Sequence, residues 1–292
     1  LKRKIYAGTK IIPLPIPKNP DSKPANIPSN IKGMKISIMS RHYRLSLTSD
    51  KLMFFPIMCL ILLAIEPTEE YKFVMASNRD EFYSRPTKSA YWWDNPKDFL
   101  AGKDLEQGGT WMGISKSGKF AAVTNVREFY EKDYLDKKFL SRGDLVKNFF
   151  TTTYNIDDYQ SSLDYKNYLG FNLVLYDQDK VSICSTKGKE FIKKEDKTFV
   201  IGNKSFGSNS NKLDLAKKDF EQILTSSFST DDLLKLMQSP QESYEFDEEK
   251  LNKNHGSEFS ARFINSSIYG TRSTTVMTID QNDQVDIKEQ LY

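Results

Sequence analysis

Residues 58–86 read MCLILLAIEPTEEYKFVMASNRDEFYSRP, and the order of apolar and polar residues in this stretch decides the fold. The run Cys59–Ile65 is almost continuously apolar, which is typical of a strand that is covered on both faces. A second strand is predicted over Tyr71–Ala76, and the polar residues after it are expected at the end of that strand. The stretch therefore predicts buried sheet strands with a polar cluster at one end.

Paired apolar runs that flank short polar turns predict three further β-hairpins. The paired runs are Trp111–Ser115 with Phe120–Asn125, Phe171–Tyr176 with Lys180–Ser185, and Thr274–Ile279 with Gln284–Lys288. Apolar residues that recur on one face predict helices over Ser141–Thr152 and Lys212–Thr225, and Thr230 is expected to cap a third that continues through Met237. Many antiparallel strands with a few helices indicate an α+β layered domain.

The overall composition excludes several classes of function. The 292 residues include 42 Lys and Arg against 39 Asp and Glu, two His and two Cys. A net charge of +3 gives no strong attraction for nucleic acid or a membrane surface, so no nucleic-acid partner is predicted. Two cysteines cannot build a disulfide framework, and so few His and Cys leave little room for a zinc centre, so no metal site is predicted.

Residues 1–57 differ in composition from the rest of the chain. They hold six of the eleven prolines before residue 30, and proline disfavours helices and interior strands. The chain begins with Leu1, and Met34, Met39, Met53 and Met58 are alternative starts. We therefore expect 1–57 to be a disordered or spurious N-terminal extension and 58–292 to be the domain.

The apolar run Leu52–Ile65 raises the question of a membrane segment. Its length of about 14 residues is short of the roughly 20 that span a bilayer, so no transmembrane segment is predicted. A signal peptide is an alternative, with Arg41, Arg44 and Lys51 as its basic flank. The run lies far from the N-terminus, however, and no small-x-small cleavage site follows it. A buried strand is the interpretation that we favour.

Cys59 follows Met58 directly, which permits an unusual kind of nucleophile. If translation starts at Met58, the small side chain of Cys59 allows removal of the initiator methionine. The α-amino group of Cys59, with an ordinary pKa near 8, then lies within reach of its own sulfur and can act as its base. Arg79 would lower the pKa of the thiol and Asp80 would orient the amine, so this chemistry needs no histidine.

A purely structural interpretation of the same residues stays open. A cysteine in an apolar strand is most often a small buried hydrophobe. The polar run Asn78–Glu81 then forms a solvated turn at a strand end, with Arg79 in a surface ion pair that contributes little stability.

The polar segments, read together, resemble the NRDE-motif family, that of transport and Golgi organisation protein 2. The resemblance extends from Met58 to the C-terminus, and the motifs occur in family order. They are Met58-Cys59, Asn78-Arg79-Asp80-Glu81, Gly108-Gly109-Thr110-Trp111, Thr124-Asn125, Ser141-Arg142-Gly143, Gly170-Phe171-Asn172-Leu173, Ser208-Asn209-Ser210 and Tyr269-Gly270-Thr271-Arg272-Ser273-Thr274.

The resemblance implies a fold of N-terminal-nucleophile hydrolase type, an α+β, four-layer αββα sandwich. It also implies a remote similarity to the cysteine acylases that cleave penicillin V or conjugated bile acids. In that comparison Cys59 attacks an amide carbonyl, Arg79 stabilises the thiolate and Asp80 holds the amine. The oxyanion accepts hydrogen bonds from Asn125 and Asn209, and Arg272 completes the polar pocket.

The chain departs from the family pattern in two places. Leu215-Ala216 follow Leu213-Asp214 where the family has Pro-Trp, which affects the loop that carries Asn209. In addition, 1–57 precede the nucleophile, and a nitrogen in a peptide bond is not a base. The proposed chemistry therefore requires that these residues are never translated or are removed.

Two functions follow from the resemblance. The first is an N-terminal cysteine amidohydrolase of unknown substrate, which uses no cofactor for catalysis. The second is a non-catalytic trafficking protein that binds haem as cargo or a lipid-like small molecule, since the family is linked to secretion, Golgi organisation and haem mobilisation. The cytoplasm is the default location, the family implies Golgi or mitochondrial association, and the oligomeric state stays open.

Overall fold

A computed structural model describes residues 34–40, 59–94, 97–126, 138–186, 188–190, 197–208, 210–239, 262–265 and 268–292. In these ranges two sheets lie between two helical layers. The strands are β1 Met34–Ser40, β2 Leu60–Ile65, β3 Tyr71–Phe82, β4 Thr87–Asp94, β5 Lys97–Asp104, β6 Met112–Ser115, β7 Phe120–Asn125, β8 Phe171–Asp177, β9 Lys180–Ser185, β10 Gly188–Glu190, β11 Thr198–Ile201, β12 Tyr269–Asp280 and β13 Val285–Leu291. The helices are α1 Arg142–Thr151, α2 Ile156–Ser162, α3 Asn211–Leu224 and α4 Thr230–Gln238, with a 3-10 turn at Tyr165–Asn167.

The two sheets contain six and seven strands. The first has the order β1-β13-β12-β3-β2-β11 and the second the order β10-β9-β8-β7-β6-β5-β4. All neighbouring strands are antiparallel except β1 and β13, which are parallel.

Three apolar layers join the sheets and helices, as the alternation of side chains along each strand requires. Phe73 and Met75 of β3 contribute to the core between the sheets, whereas Val74 and Ala76 of the same strand pack under α3 and α4. The other sheet is covered by α1 and α2, with Phe149 among the buried residues there. The order helix, sheet, sheet, helix confirms the predicted αββα sandwich.

The three predicted hairpins are confirmed, since β6 pairs with β7, β8 with β9, and β12 with β13. The predicted helices are also present, with ends within one residue of the predicted ones. The predicted N-cap at Thr230 is wrong, because α4 is capped by Ser229. The Ser229 hydroxyl accepts from the Asp232 N–H, and the Asp232 carboxylate accepts from the Ser229 N–H.

The largest difference from the sequence prediction is the length of β3. The strand continues beyond Ala76 to Phe82, so Asn78–Glu81 lie within a buried strand and do not form a solvated turn. The reason is long-range pairing, since β12 pairs with β3 along its whole length, with a register shift between Thr271 and Ser273. Pairing with β12 satisfies the main chain of the run, and the buried side chains of Asn78 and Asp80 have hydrogen-bond partners of their own.

Part of the predicted extension is described. Residues Met34–Ser40 form β1 at the edge of the six-stranded sheet, beside β13. The interpretation of 1–57 as a separate extension stays a prediction. No helix in the described part of the chain is both long and apolar enough to cross a membrane.

Candidate active site

The side chains of the Asn78–Glu81 run point alternately to the two faces of β3. Arg79 and Glu81 share the face of Phe73 and Met75, between the two sheets, while Asn78 and Asp80 share the face that α3 and α4 cover. The strand therefore separates Asn78 from Arg79 and Glu81, whereas Asp80, near the end of the strand, borders the same cavity as Arg79 and Glu81.

Asn78 has a structural role at the helical face. The residue is fully buried, and its Nδ2 donates hydrogen bonds to the carbonyl oxygens of Met237, at 2.9 Å, and Arg262, at 2.7 Å. Its Oδ1 accepts from the Thr274 hydroxyl at 2.7 Å. Asn78 thus ties β3 to the end of α4 and to β12, and it does not line the cavity described next.

Cys59 lies directly before β2, at one end of the cavity between the sheets. Leu60 pairs with Asn78, so the register brings Cys59 beside Arg79 on the neighbouring strand. The cavity has a volume of about 360 Å³, and Cys59, Arg79, Asp80 and Asn125 all line it. Four of the six predicted site residues are therefore brought together by the fold.

The guanidinium of Arg79 is buried, with only 5% of the residue exposed. Its Cζ lies 4.1 Å from the centre of the Trp111 ring, and its Nη2 lies 4.0 Å from Oε2 of Glu81. Its Nη1 has no hydrogen-bond partner in the described part of the chain. Burial lowers the pKa of Arg79, and the charge of Glu81 opposes that effect.

Asp80 is buried on the opposite face of the strand, and Thr271 Oγ1 donates a hydrogen bond to its Oδ1 at 2.6 Å. Thr271 is itself fixed, because its Oγ1 accepts from the Ile264 N–H at 2.9 Å. Burial raises the pKa of Asp80 to about 7, against the opposing effects of the Lys212 charge and the Thr271 hydrogen bond. The carboxyl therefore changes its charge near neutral pH.

The thiol of Cys59 is held in its neutral form while the residue is joined to Met58. Burial, and then the charge of Asp80, raise its pKa to about 12, while a main-chain hydrogen bond from Asp80 and the charge of Arg79 lower it. Arg79 is thus the cationic side chain that favours the thiolate.

Asn125 ends β7 at the wall of the cavity. Its main chain is fixed by Asn203, whose Nδ2 donates to the Asn125 carbonyl at 2.8 Å. Asn209 lies outside the described residues, so its predicted role in the oxyanion site stays a prediction.

Arg272 does not line this cavity. Its Nη1 donates to the carbonyl oxygens of Phe82 at 2.8 Å, and of Tyr83 and Arg85 at 3.2 Å each. The side chain therefore holds the end of β3 and the turn after it. A structural role for Arg272 fits these contacts better than the predicted place in the polar pocket.

The glycines before Trp111 bring helix α1 to the cavity. Gly108 has a φ of +75°, which a side chain would strain, and a Cβ on Gly109 would lie 2.7 Å from the carbonyl carbon of Gly143. The Thr110 N–H donates to the Gly143 carbonyl at 3.3 Å. This close approach places Arg142, the first residue of α1, in the cavity wall.

Charged residues at the cavity form a network that sequence reasoning did not assign. Arg85 binds Asp104 at 2.7 Å and Glu106 at 3.3 Å, and lies 3.7 Å from Glu81. Glu81 belongs to one of the motifs and Arg85 to the quoted stretch 58–86, whereas Asp104 becomes a neighbour only through the fold, at the end of β5. In the described residues no group of three or more His, Cys, Asp or Glu is placed to hold a metal ion.

The layers and the cavity define an α+β, four-layer αββα sandwich with a cysteine directly before β2. A family model described as Transport and Golgi organisation 2 matches residues 58–292, and the chain belongs to that family.

Named relatives agree with this assignment. The chain is 41% identical to the Homo sapiens Transport and Golgi organization protein 2 homolog over 129 residues, which are 41% of this chain and 45% of that protein. It is 29% identical to the Mus musculus homolog over 263 residues and 26% identical to the Drosophila melanogaster protein over 265 residues. Each of these two matches covers 80% of this chain and 92% of the relative.

A solved structure, the Caenorhabditis elegans N-acylethanolamine-hydrolyzing acid amidase ortholog, matches with a TM-score of 0.39 and 8% identity. The match covers 75% of this chain and 92% of that one.

Proposed function

We propose that the mature protein is an N-terminal cysteine amidohydrolase in which Cys59 is the nucleophile. The observation that carries the proposal is the convergence of Cys59, Arg79, Asp80 and Asn125 on one cavity. A cavity of about 360 Å³ is within the range that holds small-molecule ligands. The substrate is therefore a small amide.

The proposed reaction begins with the free α-amino group of Cys59. Its Sγ attacks the carbonyl carbon of the amide while the thiol proton passes to the amine. Arg79 stabilises the thiolate, Asp80 in its ionised form holds the ammonium group, and Asn125 donates to the oxyanion of the tetrahedral intermediate.

The second half of the reaction restores the enzyme. The ammonium gives its proton to the leaving nitrogen, the C–N bond breaks, and a thioester with Cys59 remains. Water then attacks the thioester carbon as the α-amine takes one of its protons. The carboxylic acid departs as the thiolate is released and reprotonated.

This proposal depends on the chemical state of one nitrogen. As long as Met58 is bonded to Cys59, that nitrogen belongs to an amide and cannot accept the thiol proton. Active protein must therefore begin at Cys59.

The first test is the intact mass and N-terminal sequence of protein isolated from its own cells, with and without iodoacetamide treatment. We expect a chain that begins at Cys59 and carries one alkyl group on that residue. Cys184 is an internal control, because it is fully buried in β9 and should not react while the protein is folded. A chain that retains residues before Cys59, or an unreactive Cys59, would contradict the proposal.

The second test is hydrolysis of a panel of small amides by protein that begins at Cys59. We expect Cys59→Ala to abolish hydrolysis without a change in the unfolding midpoint. Equal activity of this variant and the unchanged protein would exclude Cys59 as the nucleophile.

A binding function is the second candidate, and the apolar part of the cavity wall favours it. Val123, Phe139, Leu140 and Leu169 line this part, and Leu140 is 53% exposed. Such a wall suits an apolar ligand, for which haem as cargo and lipid-like molecules are the proposed classes. Micromolar binding with no amide turnover would favour this function, and failure to bind either ligand would count against it.

The cellular role and location are proposed from the family. We infer a role in secretion, Golgi organisation or haem mobilisation, carried out in the cytoplasm with Golgi or mitochondrial association. Fluorescence microscopy of the tagged protein at native abundance tests the location.

A further inference from the structure

Trp111 is a central residue of the site to which the proposed reaction gives no role. It lies just before β6 and lines the cavity that holds Cys59. It also lines a small internal cavity of about 20 Å³ between the sheets, together with Glu289. The indole therefore forms a wall between the reactive cavity and the core behind it.

The position of the indole is fixed from two sides. The Trp111 carbonyl accepts from the Val123 N–H at 2.8 Å, which anchors its main chain to β7. At the other end, the ring packs directly over Gly102 of β5. A Cβ on Gly102 would lie 2.3 Å from Cη2 and 2.4 Å from Cζ2 of Trp111, so only glycine admits the ring in this position.

The indole is also a main support of Arg79. Arg79 Nη1 has no hydrogen-bond partner in the described ranges, and the ion pair of Nη2 with Glu81 is long, at 4.0 Å. The planar guanidinium instead lies against the ring, with Cζ 4.1 Å from its centre. Stacking of this kind strengthens when the cation is desolvated, so it favours one orientation of the buried guanidinium.

We propose that Trp111 is a positioning residue that holds the Arg79 guanidinium beside Cys59, and that Gly102 is glycine because it admits the indole. The inference rests on the proposed function, since it gives Arg79 its orientation toward the nucleophile. Trp111 itself takes no part in bond making or proton transfer.

The inference predicts how the reactivity of Cys59 changes. If the ring is removed, the guanidinium is free to turn away, and the pKa of the Cys59 thiol rises. A rise of about one unit leaves about tenfold less thiolate, and the greater nucleophilicity of a more basic thiolate offsets part of the loss. At pH values below the pKa of the Cys59 thiol, we expect Trp111→Leu to slow alkylation of Cys59 by about three- to tenfold.

The test measures the rate of iodoacetamide reaction with Cys59 across a pH series in protein that begins at Cys59, with each cysteine peptide quantified by mass spectrometry. The variants are Trp111→Leu, Arg79→Met and the double variant. If Trp111 acts through Arg79, the double variant reacts at the same rate as Arg79→Met. An unchanged dependence of the alkylation rate on pH in Trp111→Leu would overturn the inference. So would a finding that Trp111→Leu slows alkylation as much in the Arg79→Met protein as in the unchanged protein.

Two glycine variants keep the test decisive without removal of the ring. Gly102→Ala should displace the indole and slow alkylation in the same direction as Trp111→Leu. Gly202→Ala is the matched control, because its new methyl group meets only the flexible end of Leu213, at 3.0 Å, and it should leave the rate unchanged. Equal rates for the two alanine variants would also overturn the inference.

Loss of the fold is recognised in the same experiment. Cys184 is buried in the core, so its alkylation reports unfolding of any variant. If Trp111→Leu unfolds, Trp111→Phe and Gly102→Ala carry the test. Because the measurement is thiol reactivity and not turnover, it stays informative if no amide is hydrolysed, and the two proposals can fail separately.

Discussion

Asp80 shows how one buried residue can make the site sensitive to pH. Its pKa of about 7 results mainly from burial, and the hydrogen bond from Thr271 holds it below the value that burial alone would give. The proposed reaction needs the ionised carboxylate, since only that form holds the ammonium group of Cys59. The ammonium group of the mature Cys59 is an opposite charge beside Asp80 and lowers this pKa below 7, so activity should fall as the pH decreases through that lower value.

Replacement of Thr271 by valine tests this account of Asp80. The change removes the donated hydrogen bond, which favours the carboxylate, so the pKa of Asp80 should rise by about one unit. The titration can be followed by NMR of protein labelled at the aspartate carboxyl carbons, with Asp80→Asn to assign the signal. Thr278→Val is the control, because Thr278 is a buried threonine of the same strand. An unchanged titration of Asp80 in Thr271→Val would refute the account.

Strand β3 shows how a single element serves structure and chemistry at once. Its two faces separate Asn78, which bonds to the helical layer, from Arg79, which lines the cavity. A mutation in this motif can therefore abolish function by loss of the fold, and the motif cannot be taken as a set of catalytic residues.

Asn78→Asp is expected to destabilise the domain without a direct effect on the cavity. The substitution removes both Nδ2 donors and leaves the carbonyls of Met237 and Arg262 facing a buried carboxyl. The free energy of unfolding should fall by about 2–4 kcal/mol, measured by urea denaturation.

The matched control is Asn148→Asp, at an exposed position of α1, which should change the free energy of unfolding by less than about 0.5 kcal/mol. Equal stabilities for the two variants would show that the Asn78 hydrogen bonds contribute little.

At the scale of the whole molecule, a buried carboxyl other than those of Asp80 and Glu81 lies between the two sheets. Glu289 of β13 is 4% exposed, and its Oε2 accepts from the Ala90 N–H at 2.8 Å. Burial raises its pKa to about 7. The folded protein therefore binds a proton on Glu289 that the unfolded chain releases at lower pH, so this residue favours folding in acid and loses that contribution as the pH rises through 7.

Glu289→Gln should therefore stabilise the protein at high pH. The amide keeps an acceptor for Ala90 and cannot ionise, so the gain at pH 8 should reach up to about 3 kcal/mol and should vanish near pH 4. Urea denaturation at both values measures the difference.

Glu106→Gln, at a half-exposed position, is the control and should show no comparable gain at high pH. A gain from Glu289→Gln that is equal at both pH values would contradict the assigned protonation.

The sequence by itself determined the elements whose signals are local. The hairpins at Phe120–Asn125 and Lys180–Ser185 follow from apolar, β-branched runs around polar turns, and the helix at Arg142–Thr151 follows from apolar residues on one face. The motif order also indicated Cys59, Arg79, Asp80 and Asn125, which the fold brings to one cavity.

Only the tertiary structure decided where the polar residues lie. The run Asn78–Glu81 resembles a turn until β12 pairs with it, and Arg272 resembles a pocket residue until its contacts with the end of β3 are known. The packing of Trp111 over Gly102 joins two strands that no local pattern relates. The physical reason is that main-chain pairing and close packing depend on partners that are distant along the chain, whereas alternation and helical periodicity depend on neighbours.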